Sequence, residues 1–357
     1  MTDPELHRMA STVLMPGFSG TRVPDWLARA IDDGLGAVLY FAHNLTEDPA
    51  GLSARLHALR PDLLVASDEE GGRVTRLHAA TGSPYPGHSE LGRAGDVRLT
   101  QATAAELGQD LRAAGIDLAL SPVVDANTDP ANPVIGDRAF GSDPRTVALH
   151  GAAFVTGMQS TGVAACAKHF PGHGDTRTDS HLDLPVVDID AATLRGRELG
   201  PFAEAIRAGV RTVMVGHIRV PVLDEAPASV APRAYALLRK ELGFTGAAVT
   251  DALDMRGLSR YTGATTVEEA VGAGAVAALA AGADLLCLGN PVRDPIGGEA
   301  VFSAARDRLL AGIADGSVHP DRLAEAAARM RELARSSIRA PGVLDQRGGG
   351  RGSFPRR

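Results

Sequence analysis

The sequence predicts an α/β protein folded as a single (β/α)8 barrel of the TIM type with long active-site loops. Short apolar runs recur eight times along the chain with helical patterns between them, the rhythm of parallel strands covered by helices. Asp68, Asp125, Lys168, His169, His217 and Asp251 all fall at or just after the C-terminal end of a run. In a barrel those ends converge on one face, where active sites are built; a doubly wound open sheet is the alternative. The 357 residues suit one barrel domain over 1–340, followed by a tail over 341–357.

In chain order the candidate strands are STVLMPGF (11–18), GAVLYF (36–41), LLVASD (63–68), IDLALSPVVD (116–125), VAACAKHF (163–170), TVMVGH (212–217), AAVTD (247–251) and ADLLCLG (283–289). Each is rich in apolar and β-branched residues without strict alternation, as strands buried on both faces are. Amphipathic or Ala-rich stretches such as LTQATAAELGQDLRAAG, ATLRGRELGPFAEAIRAG and TVEEAVGAGAVAALAAG intervene, each closing on the glycine that commonly ends a helix. HPDRLAEAAARMRELAR (319–335) reads as a final capped helix. The DQRGGGRGSFPRR end has no apolar periodicity and is expected to be disordered.

Composition excludes several classes of function. The chain is 44% hydrophobic and 22% charged with a net charge of −7, and outside the tail it shows none of the clustered Lys and Arg on which nucleic acid binding rests. No stretch reaches the roughly 18 apolar residues of a membrane helix, and the N-terminus lacks a secretory pattern, so the expectation is a cytoplasmic protein. Cys166 and Cys287 sit inside apolar runs and are expected to be buried free thiols. Aromatic content of 4% and a single tryptophan, Trp26, leave few platforms for stacking a long polysaccharide.

The densest chemistry lies in KHFPGHGDTRTDSHLDLP, residues 168–185. His169 and His173 share one face only on a helix, which Pro171, Gly172 and Gly174 oppose, so a metal site there would have to be an irregular one. A merely solvated loop is a second reading, but about twenty residues is long for such a connection, and loops of that length tend to be functional or disordered. In the third reading Asp179 and His181, at i and i+2 of an extended segment, point the same way. Asp179 then fixes the tautomer of His181 and favours its protonated ring, making it a proton donor near neutral pH. Asp251, at a strand end, is the candidate for a carboxylate that attacks carbon or stabilises positive charge, unless it merely caps the next helix; Asp254 reads as a cap or surface residue. SDEEGGRVTRL supplies Asp68, Arg73 and Arg76, and NPVIGDRAFGSDP supplies Arg138, as grips for a polyhydroxylated ligand or as structural ion pairs.

KHFPGHGDTRTDSH is similar to the signature K-H-[FI]-P-G-H-G-x4-D-[ST]-H of the bacterial β-N-acetylhexosaminidase branch of glycoside hydrolase family 3. SDEEGGRVTR, VIGDRAF and VTDALDM resemble further family motifs in the family's order, so the resemblance runs from residue 11 to about 335. It implies a (β/α)8 barrel with Asp251 as nucleophile, His181 as general acid/base and Asp179 as its orienting partner. It implies that Asp68, Arg76, Arg138, Lys168 and His169 hold N-acetylglucosamine. The implied activity is a retaining exo-β-N-acetylglucosaminidase acting on muropeptides or similar soluble fragments during peptidoglycan recycling, with a covalent glycosyl-enzyme and neither metal nor cofactor. The partner is a small carbohydrate, the protein being a monomer or weak homo-oligomer. A β-glucosidase or a phosphorylase of the same family is the alternative within the class, and a sugar-binding protein without turnover the alternative outside it. Glu69, where the family often has Gln, is expected to add negative charge near Asp68 and disfavour an acidic aglycone. With the site built from barrel loops alone, the loop carrying Asp179 and His181 is expected to move.

Overall fold

The computed structural model describes residues 3–178, 183–291 and 297–338. All eight apolar runs contain a strand: β1 (Leu14–Met15), β2 (Ala37–Tyr40), β3 (Leu64–Ser67), β4 (Leu118–Ala119), β5 (Ala164–Phe170), β6 (Thr212–Val215), β7 (Ala247–Thr250) and β8 (Leu286–Cys287). Strands β2 to β7 pair in chain order as one parallel sheet, and β1 pairs in parallel with β8. Parallel bridges Gly17↔Leu39 and Val249↔Leu285 join β1 to β2 and β7 to β8. The sheet therefore closes into the expected (β/α)8 barrel, and closure removes its edges.

Regular pairing is shorter than the apolar runs. In the first run the N-terminal helix Asp3–Thr12 takes up residues 11 and 12, and Pro16 has no amide hydrogen for the ladder, although its carbonyl still accepts from Leu39. Pro122 interrupts the fourth run in the same way, and pairing resumes at the Val123↔Lys168 bridge.

Side-chain alternation divides the core in two. Leu39, Leu64, Ala66, Leu118, Cys166, Val249 and Cys287 belong to the cluster that fills the barrel, while Val38, Tyr40, Val65, Ala165, Ala167 and Val213 pack in the larger cluster beneath the helices. Met330, Leu333 and Ala334 of the last helix, Pro320–Ile338, join the inner cluster and close the end of the barrel away from the loops. Charge secures that plug. Asp284, fully buried just before β8, accepts from Arg322 at 2.5 Å and Arg329 at 3.0 Å of the same helix, from Arg239, and from the Ala248 amide at 2.9 Å.

Both cysteines are free and buried, as expected. Several helices start on an acidic cap: Asp96 receives the amides of Arg98 and Leu99, Asp143 those of Arg145 and Thr146, and Asp190 that of Thr193. One helical expectation is modified, since ATLRGRELGPFAEAIRAG is not one continuous α-helix. It opens as the single turn Ala191–Thr193, widens into a π turn over Leu194–Glu198 and resumes as the α-helix Leu199–Arg207.

Candidate functional site

A cavity of about 380 Å³ opens at the C-terminal ends of the strands, within the usual range for small-ligand pockets. Its lining includes Asp68, Arg76, Arg138, Lys168, His169 and Asp251, the six predicted site residues that the structure describes. Asp179 and His181 lie outside the described residues, as does the 341–357 tail.

Lys168, near the end of β5 and 2% exposed, is the electrostatic centre. Its Nζ donates to Asp68 Oδ1 at 2.9 Å and pairs with Glu70 Oε1 at 2.8 Å. Arg76 Nη2 reaches Asp68 Oδ2 at 3.3 Å, and Arg138 grips Glu70 bidentately at 2.9 and 2.7 Å. Burial alone would raise both carboxyls, but Lys168 and Arg76 outweigh it at Asp68, held at about 2, and Arg138 and Lys168 hold Glu70 well below the usual carboxylate range. Conversely, burial disfavours the Lys168 ammonium, yet Asp68 and Glu70 overcome it and raise its pKa. Asp68, Glu70 and Lys168 thus stay charged at neutral pH, part of a fixed network at the cavity wall.

Glu70 went unrecognised in the sequence. Asp68 and Glu70 are i and i+2 in an extended segment and so share a side, the same reasoning that pairs Asp179 with His181; applied to SDEEGG, it would have found Glu70. Glu69 consequently faces the other way, outside the cavity lining, though it stays close enough to Asp68 for the two charges to interact. It is fully buried and accepts from the Arg76 and Leu77 amides at 2.7 and 2.6 Å and from Thr75 Oγ1 at 2.8 Å, bracing the turn that carries Arg76. The following glycines are needed because Gly71 and Gly72 have φ of +80° and +55°, and a Cβ on Gly72 would meet the Gly87 Cα at 2.8 Å. Arg73 lines the cavity edge but is half exposed and paired with Asp137 at 2.6 Å.

His169 is fixed by Asp125, which accepts from its Nδ1 at 2.8 Å and from the His169 and His173 amides. Burial would raise Asp125, but His169 outweighs it and lowers its pKa. His173, buried nearby, is pushed down to about 4 by burial and by His169, so it is neutral at pH 7.

Asp251 follows β7; its amide donates to the Val215 carbonyl at 3.0 Å and its Oδ1 accepts from Ala252 N at 2.8 Å. It does not cap a helix, because the next helix, Arg256–Thr262, begins after Met255 with no side-chain cap. The buried His217 steadies this turn: its Nε2 bonds the Ala252 carbonyl at 2.9 Å, and its Nδ1 bonds Ser229 Oγ at 2.7 Å. A carbonyl can only accept, so the proton sits on Nε2. Asp254, read from sequence as a cap or surface residue, instead lines the cavity and accepts from the Asn290 amide at 3.0 Å. The β8–loop contact that places it is too distant in sequence to be read from VTDALDM. Apolar walls come from Leu39, Phe41, Met214 and Cys287, whereas Trp26 packs on Phe302 outside the cavity lining.

Fold and cavity together define a (β/α)8 barrel with a small, charged pocket at its strand ends. The chain belongs to glycosyl hydrolase family 3, whose N-terminal domain model matches residues 20–333. A Beta-hexosaminidase of Hydrogenovibrio crunogenus (strain DSM 25203 / XCL-2) is 35% identical over 297 residues, covering 80% of this chain and 79% of the relative. Beta-hexosaminidase A of Pseudoalteromonas piscicida is 36% identical over 269 residues, but the match spans only 45% of that longer protein and 68% of this chain. Among solved structures, a glycoside hydrolase family 3 beta-N-acetylglucosaminidase from Paenibacillus sp. str. FPU-7 superposes with a TM-score of 0.86 at 37% identity, covering 97% of this chain and 65% of that one. Beta-N-acetylhexosaminidase from Beutenbergia cavernae DSM 12333 gives 0.79 at 28% identity, covering 93% and 98%.

Proposed function

We propose that the protein is a retaining exo-β-N-acetylglucosaminidase that removes terminal N-acetylglucosamine from small soluble fragments. The observation that carries this is the convergence of Asp68, Arg76, Arg138, Lys168, His169 and Asp251 on one monosaccharide-scale cavity at the strand ends. The names of the relatives support the same activity and sugar.

In the proposed reaction the Asp251 carboxylate attacks the anomeric carbon and forms an ester as the glycosidic C–O bond breaks. His181, oriented by Asp179, gives its proton to the leaving oxygen. Neutral His181 then takes a proton from water, whose oxygen attacks the same carbon and frees Asp251. After proton donation an imidazole is uncharged, so phosphate could replace water as acceptor more readily than with a carboxylate base. A muropeptide substrate remains part of this proposal, resting on the family resemblance.

Incubation with a slow fluorinated N-acetylglucosamine-type substrate, followed by peptide mapping, tests the reading. A stable adduct on Asp251 is expected; labelling of another carboxylate would overturn the assignment. On aryl glycosides, cleavage of the glucoside but not the N-acetylglucosaminide would favour the β-glucosidase alternative.

A further inference from the structure

The segment after β5 is anchored at two places before it reaches residue 179. Asp125 accepts from the backbone of His169 and His173, and Asn132 Nδ2 donates to the His173 carbonyl at 2.8 Å. The second anchor comes from two consecutive residues of the π turn Leu194–Glu198. Arg197 Nη2 donates to Asp175 at 2.5 Å, and its Nε donates to Glu198 Oε1 at 2.6 Å. Glu198 is 2% exposed, and its Oε2 has no hydrogen-bond partner among the described residues. That oxygen lies against Gly172, where φ is +130° and an added Cβ would stand 2.3 Å from it. A carboxyl buried at a free-energy cost, under the glycine of a catalytic motif and shared with an arginine that also holds the motif's next acid, has more than packing to explain.

We propose that Arg197 and Glu198 are positioning residues for the acid/base step, seating the stem at Gly172 and Asp175 from which the chain runs on to Asp179 and His181. The inference rests on the function proposed above. Consistent with it, burial pushes Glu198 up to about 7, Asp125 and Asp175 push the same way, and Arg197 opposes them. The groups facing it are Arg197 on its own turn, Asp175 on the stem and Asp125 beyond β4, the last shared with His169 and His173. While Glu198 is neutral, Arg197 serves Asp175; once ionised, Glu198 competes for Arg197 and repels both acids. Because the folded-state pKa is raised, the seat is firm at low pH and loosens as pH rises through about 7.

The test compares kcat/KM for two N-acetylglucosaminides, one with an alkyl leaving group that needs protonation and one with a dinitrophenyl group that does not. Arg197→Met is expected to lose about tenfold on the alkyl substrate, a fraction of what general acid catalysis supplies, and less than about twofold on the dinitrophenyl one. Glu198→Gln, neutral at every pH, should keep wild-type activity on the alkyl substrate below about pH 6 and lose the ionisation near neutrality. Equal losses on both substrates in Arg197→Met, or an unchanged limb in Glu198→Gln, overturn the proposal. If Arg197→Met does not fold, the pH limb of Glu198→Gln decides alone. His181→Ala separates the two levels: if it shows no dependence on leaving group, the acid/base assignment itself fails. If it shows the dependence and Arg197→Met does not, only the positioning role fails.

Discussion

Lys168 holds two carboxylates, Asp68 and Glu70, within 3 Å of one ammonium, so its loss leaves two like charges adjacent, Glu70 buried and Asp68 partly so. Lys168→Met is expected to lower kcat/KM for an aryl N-acetylglucosaminide about a hundredfold or more, roughly 3 kcal/mol, and to lower stability by a similar amount because one partner of a buried network is removed. Steady-state kinetics and chemical denaturation check the two effects separately. Asp251→Ala, by contrast, should remove at least about a thousandfold of turnover, about 4 kcal/mol, while the protein still folds, since the Asp251 amide keeps its bond to the Val215 carbonyl whatever the side chain. Activity within tenfold of wild type would place the nucleophile elsewhere.

At the scale of elements, the last helix is a plug whose attachment can be measured. Arg322 and Arg329 reach from it to Asp284, while Met330 and Leu333 enter the barrel. Asp284→Ala strands three arginines and the Ala248 amide around an empty site, and the expected cost is about 3–5 kcal/mol with catalysis little changed, because the plug lies at the end opposite the cavity. A loss under about 1 kcal/mol would mean that apolar packing alone seats the helix. The loops obey a related division. Those carrying Arg76, Lys168 and Asp251 each have a buried acid or histidine behind them: Glu69, Asp125 and His217. The cavity-lining groups are thus held by residues outside the lining.

For the whole molecule, buried groups set opposing pH trends, His88 and His173 toward acid and Glu198 toward neutrality. Burial pushes His88 down to about 4, so the folded protein binds fewer protons than the unfolded chain between the ordinary histidine value and that pKa. Its contribution is present above about pH 6.5 and is lost as pH falls toward 4. Glu198, raised to about 7, contributes below its unfolded value and loses that contribution as pH rises through neutrality. The unfolding midpoint should therefore fall on both sides of mild acidity, and Glu198→Gln should flatten the alkaline-side decline only; a decline that persists in that variant assigns it to another group. We further propose that residues 1–340 are the folding and catalytic unit, so removing 341–357 should leave kcat/KM and the midpoint unchanged.

Sequence alone determined the barrel, because eight apolar runs with polar residues at their ends is a pattern of local periodicity, and periodicity survives without coordinates. It also marked Asp68, Arg76, Arg138, Lys168, His169 and Asp251, since the family-like motifs and the strand-end rule each act within a few residues. Tertiary structure decided what each of them touches. Glu70 became the partner of Lys168 and Arg138, Glu69 turned inward, Asp254 entered the cavity, and Arg197 with Glu198 came to rest under Gly172. Apart from Glu69, whose partners Thr75, Arg76 and Leu77 are near in sequence, those outcomes depend on residues tens of positions apart meeting where strands converge, and a charged side chain's role is set by the partner it finds there.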